Sequence, residues 1–417
     1  MRDLWSAVPS AFALGLVVVL TVHCGPRPEQ EDEVGRPEGS HQRADQLAHE
    51  FLLVDTHIDV PYRLAKGGDE DLSRRTEGGD FDYPRAIAGG LDVSFMSIYI
   101  PADYQETGGA KDYADSLIDL VESFEQRWPD KFRVISDPDA AESLPQGVVG
   151  LALGMENGAP IEGDLDNLRY FFDRGIRYIT LTHSENNHIC DSSYAKEKTW
   201  NGLSPFGREV VAEMNRLGMM IDISHLSDAA AEQVLELSEM PVIASHSSAR
   251  KFTPGFERNM SDELIVELAE NGGVIQINFG SAFLNEESNR TGLAAWAAAE
   301  EHAEENGLDS DGPEMEEWLK AYREENPLPL ADLSEVVDHI EHVIEIAGID
   351  HVGLGSDFDG VGPTLPEGLK DVSQFPNLIE ALLERGHSED DIRKICGGNL
   401  MRVWRAVETG AEAPASV

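Results

Sequence analysis

From about residue 44 almost to the C-terminus, short apolar β-rich runs alternate with amphipathic stretches, the pattern of a parallel sheet with crossover helices. The runs FLLVDTH (51–57), DVSFMSIYI (92–100), GVVGLALGME (147–156), IRYITLTH (176–183), MMIDISH (219–225), PVIASH (241–246), GGVIQINF (272–279) and HVGLGSD (351–357) are predicted strands. Eight is the number that closes a (β/α)8 barrel, so the expected fold class is α/β, a TIM-like barrel forming a single domain over residues 44–410. Helix boundaries are legible between the strands. Ser204 and Pro205 supply a cap and a first-turn proline before FGREVVAEMNRLG, and Gly218 a stop. Ser227 and Ser261 cap the stretches that follow them, and Ser388 with Asp391 forms a capping box. Residues 281–332 break the rhythm with LAAWAAAEEHAEENG and MEEWLKAYREENP, too polar and too long for a simple connection. They predict a helical insertion between the last two strands, packed on or lidding the barrel rim.

Polar residues fall at telling places on this pattern. His57, Asp59, Glu156, His183, His225, His246 and Asp357 each stand at or just past the C-terminal end of a predicted strand. In a barrel those ends share one face, so the residues would meet in one bowl. His57 and Asp59 are two apart on extended chain and point the same way. Imidazoles and carboxylates gathered there suit a divalent, borderline-soft metal such as zinc. Four of them could serve one ion; His57, Asp59, Glu156, His225 and His246 suffice for two if the glutamate bridges. A bridged pair can hold one hydroxide of lowered pKa and polarise a carbonyl, which makes hydrolysis of an amide the natural chemistry.

A single strand-end histidine is more often a hydrogen-bonded loop residue than a ligand. Three histidines and two acids on one face change that, because so many unpaired polar groups together would be costly. His188, His302, His339, His342, His351 and His387 lie in predicted loops or acidic helices and read as solvated or structural. His339 and His342 are three apart on a predicted helix, but no ligand-rich strand end accompanies them, so no second metal site is expected there.

Charge narrows the partners. Against 32 Lys and Arg stand 78 Asp and Glu, a net charge of -46 that leaves no basic surface for nucleic acid and no polybasic membrane module. With 41% hydrophobic residues the chain still folds around a core, so the acidity belongs on its surface. Such self-repulsion predicts a stability that climbs with ionic strength. No H-E-x-x-H helix, G-x-S-x-G elbow, P-loop or dinucleotide fingerprint appears. The DFDG at 357–360 lacks the spacing of a calcium loop, and a glycosidase would need no imidazole cluster.

At the N-terminus, Arg2 precedes an apolar stretch, 11–22, too short for a comfortable membrane span, and residues 1–24 read as an export signal. Cys24 then opens a Pro, Gly and charge-rich tether over 25–43. This order resembles a bacterial lipoprotein, with Cys24 as the lipid anchor and a periplasmic or cell-surface location. Thr21 and His23 depart from the lipoprotein pattern, and plain secretion or a signal anchor are the alternatives. Cys190 and Cys396 read as buried free thiols.

In order along the chain, DTHIDVP, GMENG, LTHSENN, DISHLS, SHSSAR, ERNMSDEL, HVGLGSDFDG and GGNLMRVW resemble the membrane dipeptidase (renal dipeptidase) family, zinc enzymes of the amidohydrolase barrel type. The resemblance runs from about Ala48 to about Val407. It implies two zinc ions per chain: His57 and Asp59 on one, His225 and His246 on the other, Glu156 bridging. It further implies that His183 stabilises the oxyanion at the substrate carbonyl, that Arg258 holds the C-terminal carboxylate of a dipeptide, and that Asp357 accepts and returns the proton. The planar fork of an arginine suits a carboxylate. Two departures stand out: Glu156, Asn157, Gly158 where the family commonly has Glu-Gly-Gly, and His188, Ile189, Cys190 after the LTH motif.

The expected function is thus a binuclear zinc dipeptidase working through a metal-bridging hydroxide. N-acyl amino acids or lactones are the alternative substrates, and a non-catalytic surface lipoprotein is the remaining reading. The expected partners are a dipeptide substrate, a lipid anchor at Cys24 and a second copy of the chain in a homodimer, with no nucleic acid.

Overall fold

A strand in a parallel sheet is covered on both faces and reads as a nearly continuous apolar run. That is how the strands of this chain behave: every residue of β1 (Leu53–Ile58) and β4 (Val149–Glu156) is buried. The computed structural model describes residues 39–411, except 69 and 309–311. The expected export signal, Cys24 and most of the expected tether therefore lie outside the described residues. The other strands are β2 (Leu91–Tyr99), β3 (Phe132–Val134), β5 (Ile176–Thr180), β6 (Met220–Asp222), β7 (Ile243–Ser247), β8 (Val274–Ile277) and β9 (Val352–Leu354). All pairings are parallel, in the order β1-β2-β4-β5-β6-β7-β8-β9, with β3 added on β4. The ring closes just past the last strand. Asp357 N–H donates to His57 O, Asp59 N–H donates to Phe358 O, and Ile58 and Phe358 form a parallel bridge. The fold is a nearly closed (β/α)8 barrel, as the alternation predicted.

All eight predicted strands are present, and β3 is an addition the sequence did not announce. The helix signals also hold. Ser204, Ser227 and Ser261 accept from the backbone N–H of Gly207, Ala230 and Leu264, and Gly218 stops its helix at φ 76°. Ser388 and Asp391 form the capping box. Each such cap contributes about 1 kcal/mol.

At the N-terminal ends of the strands, Val54, Val93, Phe95, Met220, Ile243 and Val274 pack with the C-terminal helix Asn399–Gly410. Its fully buried Trp404 lies 5.1 Å from Phe95, ring to ring. This apolar plug leaves the opposite end of the barrel for polar residues. Between β8 and β9 run the helices Ser281–Leu284, Glu286–Asn306, Pro313–Glu325 and Leu333–Ala347. His302 stacks on Trp318 at 4.5 Å, and Trp318 on Tyr322 at 5.1 Å, joining the second and third of these helices. The Ser288 hydroxyl donates to Pro329 O and Ala331 N–H donates to Ser281 Oγ, tying both ends of the excursion together. Among the described residues no helix is long and apolar enough to cross a membrane, and Cys190 and Cys396 are buried free thiols.

Candidate metal centre

The strand ends converge as the barrel requires. His57 lies in β1 with Asp59 just beyond it, Glu156 is the last residue of β4, and His246 lies in β7. His183 and His225 follow β5 and β6, and Asp357 follows β9. Ligand atoms of His57, Glu156 and His246 lie within 4.8 Å of one another, as do those of Glu156, His183 and His225, and those of His57, Asp59 and Asp357.

Glu156 is central. Its Oε2 lies 3.4 Å from His57 Nε2, which is also 3.4 Å from Asp59 Oδ2. Its Oε1 lies 3.1 Å from His225 Nε2 and 3.2 Å from His246 Nε2. The two oxygens of one carboxylate thus face two different sets of side chains. His246 stands between the sets: its ring stacks on His57 at 3.7 Å, and its Nε2 is 2.9 Å from His225 Nε2.

Partners behind the imidazoles fix which nitrogen faces the bowl. The Tyr178 hydroxyl donates to Thr56 O and therefore accepts from His57 Nδ1–H at 2.9 Å, leaving His57 Nε2 as a lone pair. Ser245 Oγ donates to Asp222 Oδ2 and accepts from His246 Nδ1–H at 2.8 Å, with the same result at His246 Nε2. This outer ring of partners is what holds metal-ligating histidines in one tautomer. Tyr178 needs room for this: a Cβ on Gly154 would lie 2.0 Å from its Cζ. His57 Nε2, His183 Nδ1 and His225 Nδ1 are buried without a hydrogen-bond partner. Each such orphan costs about 1 to 3 kcal/mol. Asn157, His225, Asp357 and Asp359 adopt positive φ, adding backbone strain of about 1 to 3 kcal/mol apiece. The Nε2 atoms of His57 and His246, turned by their outer partners towards the Glu156 carboxylate, fit a metal, and the N and O donors fit zinc.

Electrostatics follows the same layout. Burial, then the Arg258 charge and the neighbouring imidazoles, holds the pKa values of His225 and His246 well below the usual histidine range, so both are neutral, the form that ligates. Burial also opposes charge on His57, but Tyr178, Glu156 and Asp59 outweigh it and its pKa is raised, so its Nε2 is a place that favours positive charge, a proton or a metal ion that displaces it. Against the upward push of burial, His57 and His183 hold Glu156 well below the ordinary carboxylate range. Burial, then the nearby Asp59 charge, raises Asp357 well above it.

Arg258 is buried at the edge of this cluster. Its Nη1 donates to Ser247 Oγ at 2.9 Å and its Nη2 to His246 O at 2.8 Å, while its Nε finds no partner. The guanidinium lies 5.3 Å from the Phe283 ring.

Asn278, Tyr178, Ser245, Asp222 and Gly360 went unnoticed in the sequence. Asn278 Oδ1 accepts from Gly280 N–H, so its Nδ2 is the group that donates to Asp357 Oδ2 at 2.7 Å. A Cβ on Gly360 would sit 2.2 Å from Asp357 Oδ1 and 2.4 Å from Asp59 Oδ2. Only glycine lets those two carboxylates crowd together there. Asn278 stands just past the end of β8 and was itself a polar residue at a strand end, the signal that marked the others. Asn157, one of the departures noted in the sequence, adopts φ 82°, a left-handed position that asparagine tolerates. Its amide donates to Ile100 O and accepts from Ala159 N–H, so this departure braces the turn after Glu156.

A (β/α)8 barrel that brings imidazoles and carboxylates together at the C-terminal ends of its strands defines a metal-dependent hydrolase. The chain belongs to the membrane dipeptidase family, peptidase family M19, whose model matches residues 41–416, and it is a metallo-dipeptidase. The solved structures it is similar to agree. The probable dipeptidase PvdM from Pseudomonas aeruginosa is 29% identical, with a TM-score of 0.77 over 90% of this chain and 100% of that one. A structure of dipeptidase AC, a metallopeptidase of the same family, is 26% identical, with a TM-score of 0.71 over 87% and 99%. A metallopeptidase from Rhodobacter sphaeroides, liganded with a phosphinate mimic of the dipeptide L-Ala-D-Ala, is 25% identical, with a TM-score of 0.70 over 86% and 99%.

Proposed function

We propose that this metallo-dipeptidase holds two zinc ions, bridged by Glu156, and cleaves dipeptides that carry a free C-terminal carboxylate. The observation that carries this reading is the division of labour at Glu156: one oxygen faces His57, beside Asp59, and the other faces His225 and His246. Two zinc ions bound there would lower the pKa of a shared water and polarise the scissile carbonyl. The remaining work falls to side chains of the chain itself. Arg258 spends two N–H groups on Ser247 and His246, which leaves three of its five for a substrate carboxylate. His183, whose pKa burial lowers, is a neutral N–H donor for the oxygen that gains charge as the carbonyl is attacked. Asp357, raised by burial and by Asp59, is a strong enough base to take the proton of the attacking water and return it to the leaving amine. Asn278 holds the carboxylate in place for both transfers.

The similar Rhodobacter sphaeroides structure with its dipeptide mimic favours dipeptides over N-acyl amino acids or lactones. Zinc-loaded protein assayed on all three classes should cleave dipeptides by the widest margin. Hydrolysis of only the other two would overturn the substrate assignment. Asp357→Asn should lower kcat by about a thousandfold, the middle of the acid–base range, with zinc content unchanged. Export, lipid attachment at Cys24 and pairing into a homodimer complete the proposal. Mass spectrometry of the mature N-terminus should find an acylated Cys24, and sedimentation should give twice the chain mass.

A further inference from the structure

Trp296 stands out on the helix Glu286–Asn306, whose exposed residues are otherwise mostly alanine and glutamate. It is 47% exposed, and Leu293, on the same face one turn earlier, is 40% exposed. A half-exposed indole can be an accident of a long surface helix. Its neighbours argue against that here. The Trp296 ring meets Tyr194 edge-on at 5.7 Å, and Tyr194 lies 5.9 Å from the ring of His225. From Tyr194 the aromatic series continues through Phe256 at 6.1 Å to Phe283 at 5.7 Å, against which the Arg258 guanidinium rests at 5.3 Å. The phenol of Tyr194 is part of the same electrostatic environment: burial pushes its pKa up to about 12, opposed by Arg258 and reinforced by Asp357 and Glu156. A row of rings therefore joins the excursion between β8 and β9 to the metal centre on one side and to the arginine on the other.

We propose that Trp296 is a specificity-determining residue which, with Tyr194 and Phe256, forms the wall for the side chain of the C-terminal residue of the dipeptide. The inference rests on the proposed function, in which Arg258 holds the C-terminal carboxylate. That carboxylate and the C-terminal side chain leave the same Cα, so a side chain anchored at Arg258 starts beside the aromatic row. A large apolar or aromatic group would cover the open face of the indole, whereas glycine or alanine would leave it wet. The wall thus selects bulky apolar residues at the C-terminal position and is indifferent to the N-terminal one.

The test compares kcat/KM for Ala-Phe, Ala-Leu and Ala-Gly, and for Phe-Ala and Gly-Ala, in the zinc-loaded wild type, W296A and W296F. The expected wild-type preference for Ala-Phe over Ala-Gly is about 10-fold to 100-fold, the range of an apolar subsite. In W296A that ratio should fall about tenfold, carried by KM, while the Phe-Ala to Gly-Ala ratio holds. W296F should recover most of the loss. A flat C-terminal series in the wild type, or an unchanged Ala-Phe to Ala-Gly ratio in W296A, overturns the inference and leaves the proposed function standing. A shift confined to the N-terminal series overturns it too. Absence of any dipeptide hydrolysis overturns the proposed function, and the wall falls with it.

Discussion

His246 and His339 are both buried imidazoles, 1% and 0% exposed, yet their nitrogens meet different company. His339, in the helix Leu333–Ala347, accepts from Ala249 N–H at Nδ1 and donates from Nε2 to Leu284 O. Both ring nitrogens are satisfied by backbone, and the ring pins the loop after β7 to the first helix after β8. Its neighbour His342 is likewise engaged at both ends, by Lys251 and Asp262. In the bowl one nitrogen of His57 and one of His246 is anchored by a side chain, and the other converges on Glu156 among more acceptors and lone pairs than donors can satisfy. Burial and residue type are shared; what separates a structural histidine from a ligand is whether the second nitrogen meets one backbone group or is crowded against a carboxylate and another imidazole.

The comparison can be broken most sharply at Glu156. Glu156→Gln keeps the shape and removes the charge, and zinc affinity measured by competition with a chelator should fall by more than about 100-fold, beyond the loss typical of an outer partner. Unchanged affinity would mean that the carboxylate is not a ligand. Tyr178→Phe removes only the hydroxyl that fixes His57, so a loss of about 10-fold to 100-fold is expected in the same assay. Asn278→Ala should leave zinc content intact and lower kcat by about 10-fold, the worth of one hydrogen bond to a charged group. His339→Ala should leave zinc binding unaltered and lower the unfolding free energy by about 2 to 4 kcal/mol, because Ala249 N–H and Leu284 C=O are then left unpaired.

His339 also predicts a pH effect, of the same sign as that of the buried, neutral His225 and His246. Burial lowers its pKa from 6.5 to about 4, so between those values the unfolded chain takes up a proton that the folded chain refuses. The contribution is fully present above pH 6.5 and is lost as pH falls towards 4, about 3 kcal/mol in all. Denaturant unfolding at a series of pH values should show a slope that is shallower in His339→Gln than in the wild type. An equal slope in both would assign the titration elsewhere.

Much of this was legible in the sequence because barrel strands are apolar runs with polar ends. That rule located His57, Glu156, His246 and Asp357 and made their gathering on one face a consequence of topology. It did not find β3, whose three residues are too few for any periodicity. Tyr178 was hidden because a tyrosine inside an apolar strand looks like core, and its hydroxyl matters only once the barrel brings β5 across from β1. Asn157 stood out in the sequence only as a departure, and its positive φ and the two hydrogen bonds of its amide reveal a backbone role. Trp296 could not be placed because nothing in a helix of alanine and glutamate says which way it leans over a barrel mouth.

Anomalous scattering at the zinc edge from crystals of the zinc-loaded chain tests the central claim most directly. Two peaks flanking the Glu156 carboxylate are expected, one at His57 and Asp59 and the other at His225 and His246. A single peak, or one shared by the stacked rings of His57 and His246 with nothing beside Asp59, would contradict it.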